Sequence, residues 1–142
     1  MTVPTAPAAD RASIENVLAA YALAYDDNDM ETMADCFTAD AVLTMRIQDG
    51  DLIGPFEGRE AIVRLMRDSL ASQNDQRRHL VTNVVIRAID ADIATVDSYL
   101  TLISVTGSTL TVLSTARYAD ELVRDSGHWR FGRRHIQLDL PY

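Results

Sequence analysis

The sequence predicts an α+β domain in which about three N-terminal helices pack on a strongly curved, mostly antiparallel sheet. In the first half of the chain, apolar residues recur at the three- and four-residue spacing of amphipathic helices. The second half contains four long runs rich in β-branched and apolar residues, separated by short turn sequences. Helices followed by a meander of strands are typical of the α+β class.

The first predicted helix covers residues 11–25, with Asp10 as its N-cap, and its apolar residues fall on one helical face. A shorter helix follows, for which Asp29 is the predicted N-cap because a carboxylate can accept hydrogen bonds from the first turn. We predict that the buried face of this second helix extends to Phe37. The third predicted helix covers residues 59–71.

A strand at residues 41–47 and a short return strand at residues 52–53 are predicted between the second and third helices. A polar loop at residues 72–78 then places His79 at the start of the β-rich half. Turn-forming residues separate the strands of that half at spacings that suit antiparallel connections. These four long predicted strands cover residues 79–89, 94–105, 109–123 and 129–138.

The bulk composition limits the possible functions. The 142 residues suit one domain, which we place at residues 10–142 after a flexible tail at residues 1–9. The formal net charge of −8 disfavours nucleic acid and anionic membranes as partners, because both attract basic surfaces. No apolar run approaches the roughly 20 residues that are needed to cross a bilayer.

Cofactors and an oxidising compartment are also disfavoured. The single cysteine, Cys36, cannot form an intrachain disulfide and is interpreted as a small core residue. With no secretory signal at the start of the sequence, this predicts a cytoplasmic location. The three histidines lack metal-ligand spacing, and no nucleotide-binding loop or nucleophile elbow is present. We therefore predict no metal and no cofactor.

Two residues far apart in the sequence form the candidate catalytic pair. Asp26 lies at the end of the first predicted helix, on its buried face, and His79 begins a predicted strand. A carboxylate that contacts an imidazole fixes its tautomer and raises its basicity, so the pair would form a general base if the side chains meet. The alternative is that Asp26 is a solvated helix-end residue and His79 a surface residue at a loop–strand junction.

Further residues are predicted to line a cavity between the helices and the sheet. Strand alternation places Asn83 on the same face as His79. The hydroxyl of Tyr21, roughly one helical turn before the candidate aspartate, is placed to polarise a substrate oxygen. The candidates for the cavity wall, each equally consistent with an ordinary core residue, are Tyr21, Tyr25, Met45 and Tyr99.

Four segments occur in the order that is found in one protein superfamily: YALAYDDNDMETMADCFTADAVL, GPFEGREAI, RHLVTNVVI and RYADELVRDSGHWRFGRRHI. The chain resembles the SnoaL-like branch of the nuclear transport factor 2-like proteins, which share a cystatin-like cone of helices on a bent sheet. Within this superfamily it is most similar to the scytalone dehydratase and hexachlorocyclohexane dehydrochlorinase group.

This resemblance implies roles for individual residues. Asp26 and His79 match the aspartate and histidine that act together as the base in that group. Arg134 resembles an arginine that lines the pocket of the dehydrochlorinase, and Asn83 recurs four residues after the histidine in many relatives. The chain departs from scytalone dehydratase in having no second histidine within residues 94–105. The superfamily also contains isomerases, cyclases, dioxygenase β subunits and members without known activity, so the fold alone fixes no reaction.

From the residues and the resemblance together we predict a cofactor-independent lyase of the dehydratase type, or an isomerase or cyclase. Its substrate is a small, largely apolar or aromatic molecule. The alternative is a non-catalytic module of the same fold that binds a small ligand or serves assembly. We also predict a homodimer or homotrimer, because a sheet covered by helices on one side needs another cover on its second face.

Overall fold

The protein, described here by a computed structural model for residues 2–142, consists of three helices packed against a curved six-stranded sheet. The helices are α1 (Ala8–Asp26), α2 (Met30–Asp35) and α3 (Arg59–Ala71). The strands are β1 (Phe37–Ile47), β2 (Ile53–Glu57), β3 (Gln76–Ile89), β4 (Ile93–Thr106), β5 (Thr109–Asp125) and β6 (His128–Leu138). This architecture confirms the predicted α+β class.

The strands lie in the order β2-β1-β6-β5-β4-β3, and every neighbouring pair is antiparallel except β1 and β6. The helices cover one face of the sheet and bury an apolar core there. The opposite face, which we call the outer face, carries no helix. Core side chains from α1 include Ile14, Leu18 and Tyr21, all almost completely buried.

The start of α1 differs from its prediction. The helix begins at Ala8, inside the predicted tail, because two alanines precede Asp10 and alanine is the strongest helix former. Residue 1 of that tail lies outside the described residues. Asp10 is therefore in the first turn and not at the N-cap. Its carboxylate accepts hydrogen bonds from Arg124 Nη2 at 2.7 Å and Trp129 Nε1 at 3.2 Å, which tie α1 to β5 and β6.

The N-cap of α2 is confirmed, but its end is not. Asp29 Oδ1 accepts a hydrogen bond from the Thr32 N–H at 3.0 Å. The helix ends at Asp35, and Phe37 is the first residue of β1, where its ring packs 5.2 Å from that of Phe131. Tertiary packing of this aromatic ring therefore outweighs the helical spacing that predicted a longer helix.

The strands extend beyond their predicted ranges, and the extensions of β2 and β3 have identifiable causes. β2 continues through Gly54 and Pro55, which is possible because β2 is an edge strand, where a residue without an N–H is tolerated. β3 begins at Gln76, within the predicted loop, because Gln76 pairs with Val105 and the next two residues continue the ladder on β4. His79 therefore lies inside a strand, and the residues before and after it also pair with β4.

A bulge in β3 overturns the predicted alternation. The register between β3 and β4 shifts between Thr82 and Val85, and Asn83 has a φ of 55°. A bulge moves the following residues to the other side of the strand, and asparagine tolerates the left-handed conformation better than most residues. Asn83 is exposed on the outer face and does not share the inward face of His79.

Among residues 2–142, no helix is both long enough and apolar enough to cross a membrane.

Candidate active site

The structure brings Asp26 and His79 together through two contacts. Asp26 Oδ1 lies 2.6 Å from His79 Nδ1, and Asp26 Oδ2 accepts a hydrogen bond from the His79 backbone N–H at 2.9 Å. Both side chains are buried, with 4% of the Asp26 side chain and 7% of the His79 side chain exposed. An ionised carboxylate only accepts hydrogen bonds, so the ring proton lies on Nδ1 and Nε2 keeps its lone pair.

Local structure holds this pair in place. Asp26 is the last residue of α1, and its carbonyl oxygen accepts a hydrogen bond from Gln76 Nε2 at 3.3 Å. His79 pairs with Leu102 on β4, with three paired residues of β3 before it and three after it. The imidazole stacks on the ring of Tyr25, with centroids 4.7 Å apart and an interplanar angle of 24°. The imidazole is thus fixed at its edge by a carboxylate and on one face by an aromatic ring.

A small cavity adjoins His79 between α1, α3 and the sheet. Its volume is about 30 Å³, roughly the share of one water molecule in the liquid. Tyrosine side chains form much of its wall, and Met45, Met66 and Leu100 contribute apolar surface. The tyrosines that line it are Tyr21, Tyr25, Tyr118 and Tyr142.

The hydroxyls of these tyrosines differ in their partners. The Tyr21 hydroxyl lies 3.8 Å from the sulfur of Met66, a weak acceptor. Tyr25 is hydrogen bonded to Ser69, and burial raises the pKa of Tyr25 to about 12. Tyr118 is 1% exposed, and its hydroxyl has no hydrogen-bond partner among residues 2–142. Because burial also raises the pKa of Tyr21 and of Tyr118, all three phenols remain protonated donors at neutral pH.

Arg134 lies behind the cavity wall and is fully buried. Its Nε and Nη2 atoms donate to the two carboxylate oxygens of Asp120 at 2.8 and 3.0 Å. Its guanidinium carbon also lies 3.7 Å from the ring centroid of Tyr118, 4.3 Å from that of Phe131 and 4.4 Å from that of Tyr21. Burial acts to lower the pKa of Arg134, but the Asp120 carboxylate outweighs it and raises that pKa.

This arrangement gives Arg134 a different position from the predicted one. The guanidinium does not line the cavity beside His79; it supports the rings of Tyr21 and Tyr118 from behind. A cation under an aromatic ring polarises the ring and its hydroxyl. Arg134 therefore acts on the cavity through the phenols.

The remaining predicted wall residues separate into two groups. Tyr21 and Met45 line the cavity together with His79. Asn83 and Tyr99 instead line a hollow of about 570 Å³ on the outer face, because the bulge turns Asn83 outward and Tyr99 lies on the outward side of β4. The sheet separates these two residues from His79, so they do not belong to the same site.

Sequence reasoning missed Tyr118 and Tyr142. Alternation along β5 contained a usable signal for Tyr118, because Ala116, Tyr118, Asp120 and Leu122 share one face that includes a charged residue. A buried carboxylate needs a buried partner, and that requirement points to the inward face of this strand. Tyr142 lies beyond the last strand, where no periodic pattern exists.

The described residues provide neither a cluster of metal ligands nor a reactive cysteine. Among residues 2–142, no three histidine, cysteine or acidic side chains are grouped in a way that could hold a metal ion. Cys36 is buried, and its burial raises the pKa of the thiol to about 11. It therefore stays protonated at neutral pH, which agrees with its interpretation as a core residue.

Comparisons with known proteins place the chain in a family. The family model described as a SnoaL-like domain matches residues 6–135. No curated protein gives a significant match. A protein from Catenulispora acidiphila, solved in complex with S-DNPA, is 29% identical with a TM-score of 0.79, and the alignment covers 93% of this chain and 95% of that one.

Two further solved structures are similar. A variant of a Mycobacterium tuberculosis protein of unknown function is 28% identical with a TM-score of 0.78, and the alignment covers 92% of this chain and 72% of that one. A Nostoc punctiforme protein of unknown function, described as having a cystatin-like fold, is 24% identical with a TM-score of 0.81. That alignment covers 97% of this chain and 98% of the other, and it supports the fold alone.

Proposed function

We propose that this chain, which belongs to the SnoaL-like domain family, is a cofactor-independent enzyme that removes a proton from a small, largely aromatic substrate. The reaction is an elimination of the dehydratase type, or an isomerisation or cyclisation that begins with the same proton transfer. The observation that carries this proposal is the buried contact between Asp26 and His79 beside a cavity.

His79 acts as the general base through Nε2. The Asp26 carboxylate holds the ring proton on Nδ1 and stabilises the imidazolium that forms when Nε2 accepts a proton. A positioned base of this kind contributes about 10²–10⁴-fold to the rate. Because both groups are buried, their interaction is screened less by water than that of an exposed pair.

Tyr118 supplies the complementary hydrogen bond. Tyr118 is a buried residue of the cavity wall whose hydroxyl makes no hydrogen bond to residues 2–142, whereas the Tyr21 hydroxyl already contacts Met66. A preorganised donor that faces developing negative charge stabilises an oxyanion. We therefore assign to Tyr118 the role that the sequence predicted for Tyr21, with Arg134 polarising the phenol from behind.

An elimination on this site balances in two proton transfers. His79 Nε2 takes a proton from a carbon next to a carbonyl group, the electron pair of that C–H bond forms the C=C bond of an enolate, and the π pair of the C=O bond moves onto the oxygen, which Tyr118 stabilises. A pair on that oxygen then re-forms the C=O bond, the enolate C=C pair forms the new C=C bond to the β carbon, and the C–O bond of the hydroxyl at the β carbon breaks. The imidazolium returns its proton to the departing hydroxide, which leaves as water.

The proposed substrate class has support from the cavity and from one relative. Four phenols and an imidazole line the cavity, and such rings favour planar aromatic ligands through stacked and edge-to-face contacts. The similar Catenulispora acidiphila protein was solved with a bound compound, S-DNPA. Binding of a small molecule by a relative agrees with use of the cavity as a ligand site.

The proton-transfer step can be tested without knowing the physiological substrate. A panel of aromatic ketones and β-hydroxy ketones is incubated with the protein in D₂O and analysed by mass spectrometry for deuterium uptake and loss of water. We expect exchange at the carbon next to the carbonyl for at least one compound, and none with His79→Gln. Exchange that persists in His79→Gln at the wild-type rate contradicts the assignment of His79.

A non-catalytic module that binds a small ligand or serves assembly is the second candidate. It is favoured by the cavity volume of about 30 Å³, which is too small for a substrate as the side chains stand. The same panel distinguishes the two, because ligand binding without exchange or elimination supports this module and contradicts the enzyme.

A further inference from the structure

Tyr142 forms one wall of the cavity and is held differently from the other residues that line it. Tyr142 lines the cavity beside His79, yet 52% of the residue is exposed, whereas Tyr21 and Tyr118 are each 1% exposed. The other walls belong to helices or strands. Tyr142 lies beyond β6, in a segment without helix or strand structure.

The segment is anchored just before Tyr142 and not at it. The Asp139 N–H donates to the Thr115 carbonyl oxygen at 2.9 Å, and Ser114 Oγ donates to the Leu140 carbonyl oxygen at 2.8 Å. After these contacts, no hydrogen bond joins residues 141–142 to the rest of the described chain. Hydrogen bonds thus fix the residues just before Tyr142 and not Tyr142 itself.

A cation holds the ring of Tyr142 in place. The guanidinium carbon of Arg77 lies 5.1 Å from the ring centroid, within the range of a cation–π contact. Arg77 is in turn positioned by Asp75, whose Oδ2 lies 3.2 Å from Arg77 Nε. Arg77 therefore lies over a site that accepts an aromatic ring.

Tyr142 lines the same cavity as Tyr21, Tyr25 and Tyr118. Although half of the residue is exposed, burial raises the pKa of Tyr142 above its ordinary value. Its phenol is also near enough to raise the pKa of Tyr21, Tyr25 and Tyr118. The ring of Tyr142 therefore lies at the wall that the three other tyrosines share, with Arg77 over its face.

We propose that Tyr142 occupies an aromatic-ligand subsite next to His79, and that the phenolic or similar planar ring of a ligand displaces it on binding. The displaced ring leaves behind a space of its own shape, with Arg77 over the ring and the other phenols of the cavity wall beside it. This explains how a cavity of about 30 Å³ admits a ligand. The catalytic meaning of the subsite rests on the proposed function, but ligand binding at the subsite does not.

The test uses 4-methylphenol, which has the structure of a tyrosine side chain. We expect Tyr142→Ala to bind 4-methylphenol by calorimetry at least about tenfold more tightly than the wild type, because the competing ring is gone and the competent state needs no displacement. Chemical shifts of the His79 ring protons should move on titration of Tyr142→Ala. A matched control is Tyr99→Ala, which removes an exposed tyrosine from the outer face and should bind like the wild type.

A second pair of variants locates the subsite. Arg77→Met in the Tyr142→Ala background should lose most of the gained affinity, and Tyr142→Phe, which keeps the ring, should bind like the wild type. Circular dichroism establishes that each variant is folded, and Tyr142→Ser replaces Tyr142→Ala if the latter is not. Equal affinity of folded Tyr142→Ala or Tyr142→Ser and the wild type for 4-methylphenol overturns the proposal.

The binding test of the subsite and the exchange test of the enzyme can fail independently. Tight binding of 4-methylphenol by Tyr142→Ala, with no deuterium exchange by the wild type on any ketone, supports the subsite and contradicts the catalytic function. Exchange without any gain in binding contradicts the subsite and supports the base.

Discussion

Asp26 holds His79 by its backbone and by its ring at the same time. One carboxylate oxygen accepts the His79 N–H at 2.9 Å, and the other lies 2.6 Å from ring Nδ1. The first contact fixes the end of α1 on β3, and the second sets the tautomer of the imidazole. A single carboxylate therefore couples the packing of the helix on the sheet to the chemistry of the site.

Asp26→Asn should abolish proton transfer. An amide offers one acceptor and one donor, so it cannot accept from both the His79 N–H and Nδ1–H. The ring then adopts the tautomer with its proton on Nε2, which removes the base. We expect a loss of about 10²–10⁴-fold in deuterium exchange, and a loss of about 1–3 kcal/mol in the free energy of unfolding in urea.

The neighbouring aspartate provides the control for this variant. Asp27 has the same charge, but 65% of its side chain is exposed and it lies 3.8 Å from Arg78. Asp27→Asn should change neither exchange nor stability by a measurable amount, since exposed pairs contribute little. Equal effects of the two substitutions would show that net charge, and not the contact with His79, is responsible.

Tyr118→Phe should slow proton transfer more than Tyr21→Phe. Loss of a donor that faces an oxyanion costs about 10²–10³-fold, and within the described part of the chain the Tyr118 hydroxyl has no hydrogen bond to give up. Tyr21 is the matched control, because its ring is equally buried and contacts the same arginine, but its hydroxyl faces Met66. Rates of deuterium exchange for the two variants are compared at equal ligand saturation. A larger effect of Tyr21→Phe would return the donor role to Tyr21.

Much of the fold could be predicted from the sequence because it depends on local periodicity, whereas the pairing of Asp26 with His79 was predicted by the family resemblance. The helical spacing of α1 placed Asp26 on its buried face, and an apolar run in β3 placed His79 on a strand. Asn83 could not be placed, since a bulge shifts the strand register without any change in composition. A period of two residues predicts a face only while the ladder is regular.

The inward position of Tyr118 and the position of Tyr142 at the cavity wall depend on long-range packing. Nothing in the order of residues states that Arg134 pairs with Asp120 across two strands and supports Tyr118. The volume of the cavity is likewise set by how several rings interdigitate. Such packing is a property of the assembled core and not of any segment.

Breaking the Asp120–Arg134 ion pair by one substitution should destabilise the fold more than replacing both residues by apolar ones. Asp120→Asn leaves the guanidinium fully buried without a counterion, and we expect it to cost about 3–5 kcal/mol. The double variant Asp120→Leu with Arg134→Met removes both charges and should cost less than the single variant, because no buried charge is left unpaired. Urea unfolding of both variants measures this difference. A double variant less stable than Asp120→Asn would mean that the cation–aromatic contacts outweigh the ion pair.

Alkaline pH should destabilise the protein, because ionisation of its buried tyrosines is less favourable in the folded state. Tyr25 has a pKa of about 12 against an ordinary 10.0, and burial also raises the pKa of Tyr21 and Tyr118. The folded state therefore binds protons more tightly than the unfolded state. Its stability is full below pH 10 and falls as the pH rises from 10 towards 12. Unfolding in urea at several pH values measures the decline, and Tyr118→Phe should make it shallower. Stability that is constant across this range would contradict the burial of the phenols.

We propose that the outer face of the sheet binds a second or third copy of this chain. Leu110, Val112 and Tyr99 are 65%, 58% and 51% exposed on this face, and it carries no helix. An exposed apolar sheet face of this kind marks an interaction site. Light scattering at micromolar concentration should give the mass of a dimer or a trimer, and Leu110→Lys with Val112→Lys should reduce it to that of a monomer. Leu23, which is 64% exposed on α1, provides the control, and Leu23→Lys should leave the assembly unchanged. A monomeric wild type would contradict the proposal, and an equal effect of Leu23→Lys would move the interface to the helical side.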